Sequence, residues 1–216
     1  MTHHGPREIR SWLSDMDGVL VHEGTALPGA AEFIKALRDG DRPFLILTNN
    51  SIFTTRDLRA RLAASGIDVP EDAIWTSALA TAQFLTDQMP GGSAYVIGEA
   101  GLTTALYEAG YTLTAAQPDF VVLGETRTYS FEAITQAIRL IQGGARFIAT
   151  NPDVTGPSAD GDLPATGAVA AEIIAATAPV AGRSPSADGP VTSGFVAMKR
   201  APPWMSRMAC VMASNE

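Results

Sequence analysis

The sequence predicts an α/β protein built on a doubly wound parallel sheet. Three observations carry this. Short runs such as Pro43–Leu47 (PFLIL) and Phe120–Gly124 (FVVLG) are apolar throughout and stop abruptly, as strands buried on both faces do. Between such runs lie stretches whose apolar residues recur at helical spacing, so that strand and helix alternate along the chain. Two of the strand ends carry clusters of reactive or phosphate-binding side-chain types, Asp15-Met16-Asp17-Gly18 and Thr48-Asn49-Asn50-Ser51. Open parallel sheets bind their ligands at that rim.

Taken in order, Ile9–Leu13 is a short apolar stretch that predicts a strand ending at Asp15, with a turn at Gly18. Ala30, Phe33, Ile34 and Leu37 predict a helix over 30–38, stopped by Asp39-Gly40. The strand at 43–47 follows. A helix over 54–65 is capped by Thr54 or Thr55 and ends at Gly66. Ala73–Thr76 is a short strand, and Ser77 caps a helix over 78–88. After Pro90-Gly91-Gly92 a second unit opens, with strands at 95–98, 120–124 and 147–149 and helices at 102–109, 130–142 and 167–177. Residues 151–162 are expected to form a polar loop. Boundaries near 92 and 180 divide the chain into a core segment, 7–92, a second α/β domain, 93–182, and a tail, 183–216.

Composition narrows the function. The 216 residues carry 23 acidic and 15 basic side chains, a net charge of −8, with 46% hydrophobic residues. That content supports a folded core. The acidic balance argues against nucleic acid as a partner, because such binding runs on Lys and Arg neutralising phosphates. The single cysteine, Cys210, gives no internal disulfide framework and no cysteine zinc site. No apolar run approaches the ~20 residues of a membrane helix, and the N-terminus lacks the apolar stretch of a signal peptide. A cytoplasmic protein without membrane or nucleic-acid partners is expected.

The Asp15-x-Asp17-Gly18 cluster places two carboxylates two residues apart at a strand end. Such a pair can divide nucleophile and acid–base roles or hold a hard cation; a turn whose aspartates simply favour loops is the plain alternative. Thr48–Ser51 offers hydroxyl, amide and turn N–H groups suited to a phosphate, or else only a helix cap with an Asx turn. His22 is read as a packing or surface residue, His3 and His4 as terminal, and Trp12 and Trp75 as core or rim residues. Gly98-x-x-Gly101 hints at a phosphate loop without the full dinucleotide pattern.

The segments SDMDGVLVHEG, FLILTNNS, YVIGEAGL, PDFVVLGETRTYSFE and ARFIATNPD, in this order between about residues 8 and 183, resemble the haloacid dehalogenase (HAD) superfamily phosphatases. The likeness is to class IIA, the NagD-type branch of nucleotide and sugar-phosphate phosphatases. The resemblance implies a HAD-like core with an inserted C2-type α/β cap. It implies a Mg²⁺-dependent phosphomonoester hydrolase of small phosphorylated metabolites, nucleoside monophosphates or sugar phosphates, working through an aspartyl-phosphate. Asp15 matches the nucleophile and Asp17 the acid–base residue. Mg²⁺ would be held by the Asp15 carboxylate and the Asp17 carbonyl. Gly18, Thr48, Asn49 and Asn50 match phosphate-binding positions, and Asn151 and Asp153 of the cap would face the leaving group.

The likeness stops near Arg183, where composition also changes. Residues 183–216 hold four basic and two acidic residues, against eleven and twenty-one before them. The family's distal lysine and its later acidic segment have no match: the lysines are Lys35 and Lys199, and after Glu172 the acidic residues are Asp188 and Glu216. A shifted reading frame would account for such a tail. The expectation is a core incomplete at its C-terminus, with an open strand edge that favours self-association into a homo-oligomer. The alternative function is a catalytically impaired remnant that only binds phosphorylated ligands or associates with itself.

Overall fold

The computed structural model describes residues 9, 11–156 and 161–178. His3, His4, Lys199, Cys210 and the whole 183–216 tail lie outside these residues, as does any expectation about the completeness of the core. Contacts divide the chain into two compact units. The described part of the first is residue 9, 11–48 and 55–75; that of the second is 49–54, 76–156 and 161–178.

In the first unit, β1 (Trp12–Asp15) pairs in parallel with β4 (Phe44–Thr48), in a register running from Trp12 opposite Phe44 to Asp15 opposite Leu47. With β5 (Ile74–Thr76) they form a sheet in the order β1-β4-β5. Between β1 and the first helix, β2 (Val21–His22) and β3 (Thr25–Ala26) form a small antiparallel hairpin. Its two turn residues, Glu23 and Gly24, both have positive φ, as the tightest hairpin turns require. Helix α1 (Ala30–Asp39) buries Ala30, Ile34 and Leu37, the i, i+4, i+7 stripe that its spacing predicts. Helix α2 (Thr55–Ala64) buries Leu58 and Leu62 in the same way. A single 3₁₀ turn, Glu71–Ala73, replaces the start of the strand expected at 73.

The second unit is itself doubly wound. Helix α3 (Ser77–Gln88) leads to β6 (Ser93–Ile97), α4 (Ala100–Glu108), β7 (Thr112–Leu113), β8 (Phe120–Leu123), α5 (Phe131–Gln142) and β9 (Arg146–Ala149). The four strands are parallel, in the order β7-β6-β8-β9. The chain leaves β6 for one edge and returns on the other side as β8, so the topological switch point lies between β6 and β8. Strand side chains alternate between two cores. Ala94, Phe120, Val122 and Ile148 join Ala78, Ala82 and Leu85 of α3 and Leu102 and Leu106 of α4. Ile97, Val121, Leu123 and Phe147 join Ala137 and Ile141 of α5 and Val169 and Ile173 of α6 (Thr166–Thr177). Burial of β8 on both faces explains its uninterrupted apolar sequence.

Helix α3 therefore packs with the second unit, and the Tyr111 hydroxyl donates to the Leu85 carbonyl at 2.7 Å to secure it. Residues 151–162 are not loop throughout. β10 (Thr155–Gly156) pairs antiparallel with β11 (Leu163–Pro164), a two-residue ladder too short to leave a periodic signal. Among the described residues no helix is long and apolar enough to cross a membrane.

Candidate active site

β1 ends on Asp15 because its backbone ladder with β4 ends there: the Met16 amide donates to the Leu47 carbonyl at 2.9 Å, and the chain then turns. The turn is closed by the Met16 carbonyl, which accepts from the amides of Leu20 and Val21, and by the Gly18 amide, which donates to the Val21 carbonyl at 2.8 Å. Gly18 has φ of 79°, a conformation open to glycine and strained for a side-chain residue. Its amide is used inside the turn, so what Gly18 contributes there is backbone shape.

The Asp15 carboxylate is exposed. One oxygen accepts from the Met16 amide at 2.8 Å, and among the described residues the other oxygen meets no donor. The Met16 bond orients the carboxylate. Asp17 is also exposed, and its side chain reaches the end of β4. Its Oδ2 accepts from the Thr48 hydroxyl at 3.1 Å, and Thr48 is itself buried at the last position of that strand. The Asp17 carboxyl is held above the usual aspartate range. Burial raises it most; the Thr48 hydrogen bond pulls it down, and the nearby Asp15 charge pushes it up. Adjacent strand ends thus bring Asp15, Asp17 and Thr48 together, and the two carboxyl groups have different hydrogen-bond partners, the Met16 amide for Asp15 and the Thr48 hydroxyl for Asp17.

The oxygen atoms here suit a hard cation. The Asp15 carboxylate has an uncommitted oxygen, and the Asp17 carbonyl accepts no hydrogen bond among the described residues. Those residues contain no cluster of three His, Cys, Asp or Glu that could form a fuller cage. Two oxygen ligands with the remainder water is a set compatible with Mg²⁺, which keeps several waters.

Asn49 and Asn50 fall in the second unit. Asn49 is exposed, with its carbonyl held by the Ser77 hydroxyl at 2.7 Å. Asn50 Oδ1 accepts from the amides of Ile52 at 3.0 Å and Phe53 at 2.9 Å, the Asx turn that its position suggests. Also in the second unit, Asn151 Oδ1 accepts from the Asp153 amide at 2.8 Å, and the Asp153 carboxylate is exposed. That loop is seated on α6: a Cβ on Gly167 would lie 2.1 Å from the Pro152 carbonyl oxygen, so only glycine lets the two backbones meet.

Several expectations are refined. Ser77 does not cap α3; Thr76 does, accepting from the Leu79 amide at 3.1 Å, which frees the Ser77 hydroxyl for Asn49. Gly101 faces the carbonyls of Ser51 and Phe53, so chain oxygens occupy the place where the Gly98-x-x-Gly101 pattern hints at a phosphate. His22 is exposed on the β2–β3 hairpin. Trp12 is partly buried edge-on against Phe33, their ring centres 5.5 Å apart.

The family model of the haloacid dehalogenase-like hydrolases matches residues 12–112. A dihydroxyacetone phosphatase of Corynebacterium glutamicum (strain R) is 67% identical over 167 residues, covering 77% of this chain and 61% of that protein. The ribonucleotide monophosphatase NagD of Escherichia coli (strain K12) is 47% identical over 165 residues, covering 76% of this chain and 64% of the relative. The chain thus spans less than two thirds of the length of these curated relatives. The solved structure of NagD from the E. coli K-12 strain superposes with a TM-score of 0.72 at 43% identity, over 85% of this chain and 70% of that one. The chain belongs to the haloacid dehalogenase-like hydrolases, in their NagD-type branch.

Proposed function

We propose that the protein is a Mg²⁺-dependent phosphomonoester hydrolase of small phosphorylated metabolites. The observation that carries this is the pairing at the β1 end: an exposed Asp15 carboxylate, one oxygen of which meets no donor among the described residues, beside an Asp17 carboxyl whose pKa is raised while Thr48 holds it in place. Names of relatives support the substrate class, a dihydroxyacetone phosphatase for a small sugar phosphate and a ribonucleotide monophosphatase for nucleotides.

Asp15 attacks phosphorus through its free oxygen. The P–O bond to the leaving group breaks, and the phosphoryl group passes to the carboxylate as an acyl phosphate. Asp17 serves as the acid of this step and gives its proton to the departing ester oxygen. It then takes a proton from the water that attacks the acyl phosphate, which releases inorganic phosphate and restores Asp15. The Thr48 hydroxyl keeps the Asp17 carboxyl aimed through both steps. Mg²⁺ would be held by the Asp15 carboxylate and the Asp17 carbonyl, and would supply positive charge to offset that on the phosphoryl group. Asn49, Asn50 and the turn at Gly18 are assigned to the phosphate, and Asn151 and Asp153 to the leaving group. A cytoplasmic location and association into a homo-oligomer, with neither nucleic acid nor membrane as partner, belong to the same proposal.

Hydrolysis of p-nitrophenyl phosphate, dihydroxyacetone phosphate and nucleoside monophosphates, with Mg²⁺ and with excess chelator, tests this. The expected result is Mg²⁺-dependent release of phosphate that Asp15→Asn abolishes. Absence of turnover in every case, or turnover in the Asn variant equal to that of the parent, would overturn it.

A further inference from the structure

The switch point of the second unit is the crevice where a sheet of this topology ordinarily receives a ligand, outside the carboxyl ends of β6 and β8. Here a stretch of the same chain fills it. Ser51 is fully buried, and its hydroxyl accepts from the Glu125 amide, just past β8, at 2.9 Å. The Thr150 hydroxyl, just past β9, lies 3.5 Å from the same oxygen. One residue on, the Ile52 carbonyl accepts from the Gly101 amide at 2.8 Å, which satisfies a first-turn donor of α4 that has no partner within the helix. Two glycines make room. A Cβ on Gly101 would lie 2.4 Å from the Phe53 carbonyl oxygen and 2.7 Å from that of Ser51, and one on Gly124 would lie 3.2 Å from the Ser51 hydroxyl. The plug lies immediately after Asn49 and Asn50, and the Asn50 side chain closes its turn on the Ile52 and Phe53 amides.

We propose that Ser51 is a positioning residue for the phosphate-binding segment. By seating its hydroxyl on the Glu125 amide at the β6/β8 switch point, it fixes the backbone that presents Asn49 and Asn50. The phosphate role of those asparagines rests on the function proposed above; the seating does not. A buried hydroxyl could be retained for stability alone, but then its loss would loosen β6 and β8 as much as the segment. A positioning role predicts a local effect and a change in phosphate affinity.

The experiment compares the full chain with Ser51→Ala, a smaller residue that leaves the fold room to form. Amide hydrogen exchange is followed at Ile52 and Phe53 and, as reference, at Val96, Ile97, Val122 and Leu123. In parallel, KM for p-nitrophenyl phosphate and the inhibition constant of inorganic phosphate are measured. Loss of one net hydrogen bond corresponds to about a fivefold effect. The expected result is exchange about fivefold faster at Ile52 and Phe53 with the reference amides unchanged. KM and the phosphate constant should rise together by a similar factor, with kcat within about twofold. Unchanged exchange at Ile52 and Phe53, equal acceleration at all six amides, or a fall in kcat with KM and the phosphate constant unmoved would overturn the proposal. If the parent chain neither turns over esters nor binds phosphate, the function proposed above fails, and the exchange comparison alone decides whether Ser51 seats the segment.

Discussion

Gly101→Ala sets two effects of opposite sign against each other, and the structure decides between them. Gly101 lies in the first turn of α4, with φ outside the left-handed region. Helix propensity alone would make alanine the better residue by up to about 1 kcal/mol. The added Cβ, however, would lie 2.4 Å from the Phe53 carbonyl oxygen and 2.8 Å from its carbonyl carbon. Both are backbone atoms, so no flexible side chain can yield. Overpacking of this kind typically costs about 1–3 kcal/mol. Moving the segment away also breaks the Gly101–Ile52 hydrogen bond, a further loss of about 1 kcal/mol. The net expectation is a destabilisation of about 2 kcal/mol, which for a chain of this size lowers Tm by about 4–8 °C. Thermal unfolding followed by circular dichroism measures it. An unchanged or raised Tm would show that the contact at the switch point is not formed as described.

Asp17→Asn should slow hydrolysis of sugar phosphates by ~10²–10⁴, the usual contribution of a general acid–base group. It should slow formation of the acyl phosphate from p-nitrophenyl phosphate far less, because that leaving group needs little protonation. Equal losses in rapid-quench measurements of the phosphoryl-transfer step would remove Asp17 from the acid role. In the second unit, Asp119 accepts from the Ser93 hydroxyl at 2.6 Å and from the Ser93 amide at 2.8 Å. These bonds hold its carboxyl below the usual aspartate range. A carboxylate with a depressed folded pKa contributes stability that is fully present above the unfolded pKa and is lost as pH falls through the folded one. The Ser93 hydroxyl also accepts from the Asp119 amide at 3.0 Å, a bond that does not titrate, so Ser93→Ala should lower Tm more at neutral pH than below both pKa values. A difference that grows toward acid would contradict the sign.

The long elements were legible because each has one dominant cause. The uninterrupted apolar run at 120–123 marks β8, buried on both faces, and the Ala30, Ile34, Leu37 stripe marks α1. The two-residue strands β2, β3, β7, β10 and β11 were not, because two residues show no period and their pairing depends on turns and neighbours. At the site, the ends of β1 and β4 were legible from the change of apolar run to polar cluster, and the structure sets Asp17 against Thr48 there. What the sequence hid was the use of Ser51 and Ser77. Both read as local turn or cap residues, yet their partners are Glu125, 74 residues away, and Asn49, 28 residues away. Such long-range bonds leave no mark in local spacing. A weak signal for Gly101 existed in Gly98-x-x-Gly101, but the same pattern serves a phosphate or a chain carbonyl, and only the fold distinguishes them.

The central claim is that Asp15 carries the phosphoryl group. Trapping the acyl phosphate tests it most directly. Asp17→Asn is mixed with ³²P-labelled p-nitrophenyl phosphate and Mg²⁺, quenched in acid and digested. With a good leaving group the first step needs little help from Asp17, while the second lacks its base, so the intermediate should accumulate. An acid-stable, hydroxylamine-labile phosphate is expected on the peptide containing Asp15, absent when Asp15→Asn is added. No acyl phosphate at saturating ester, or label that persists in the double variant, would contradict it.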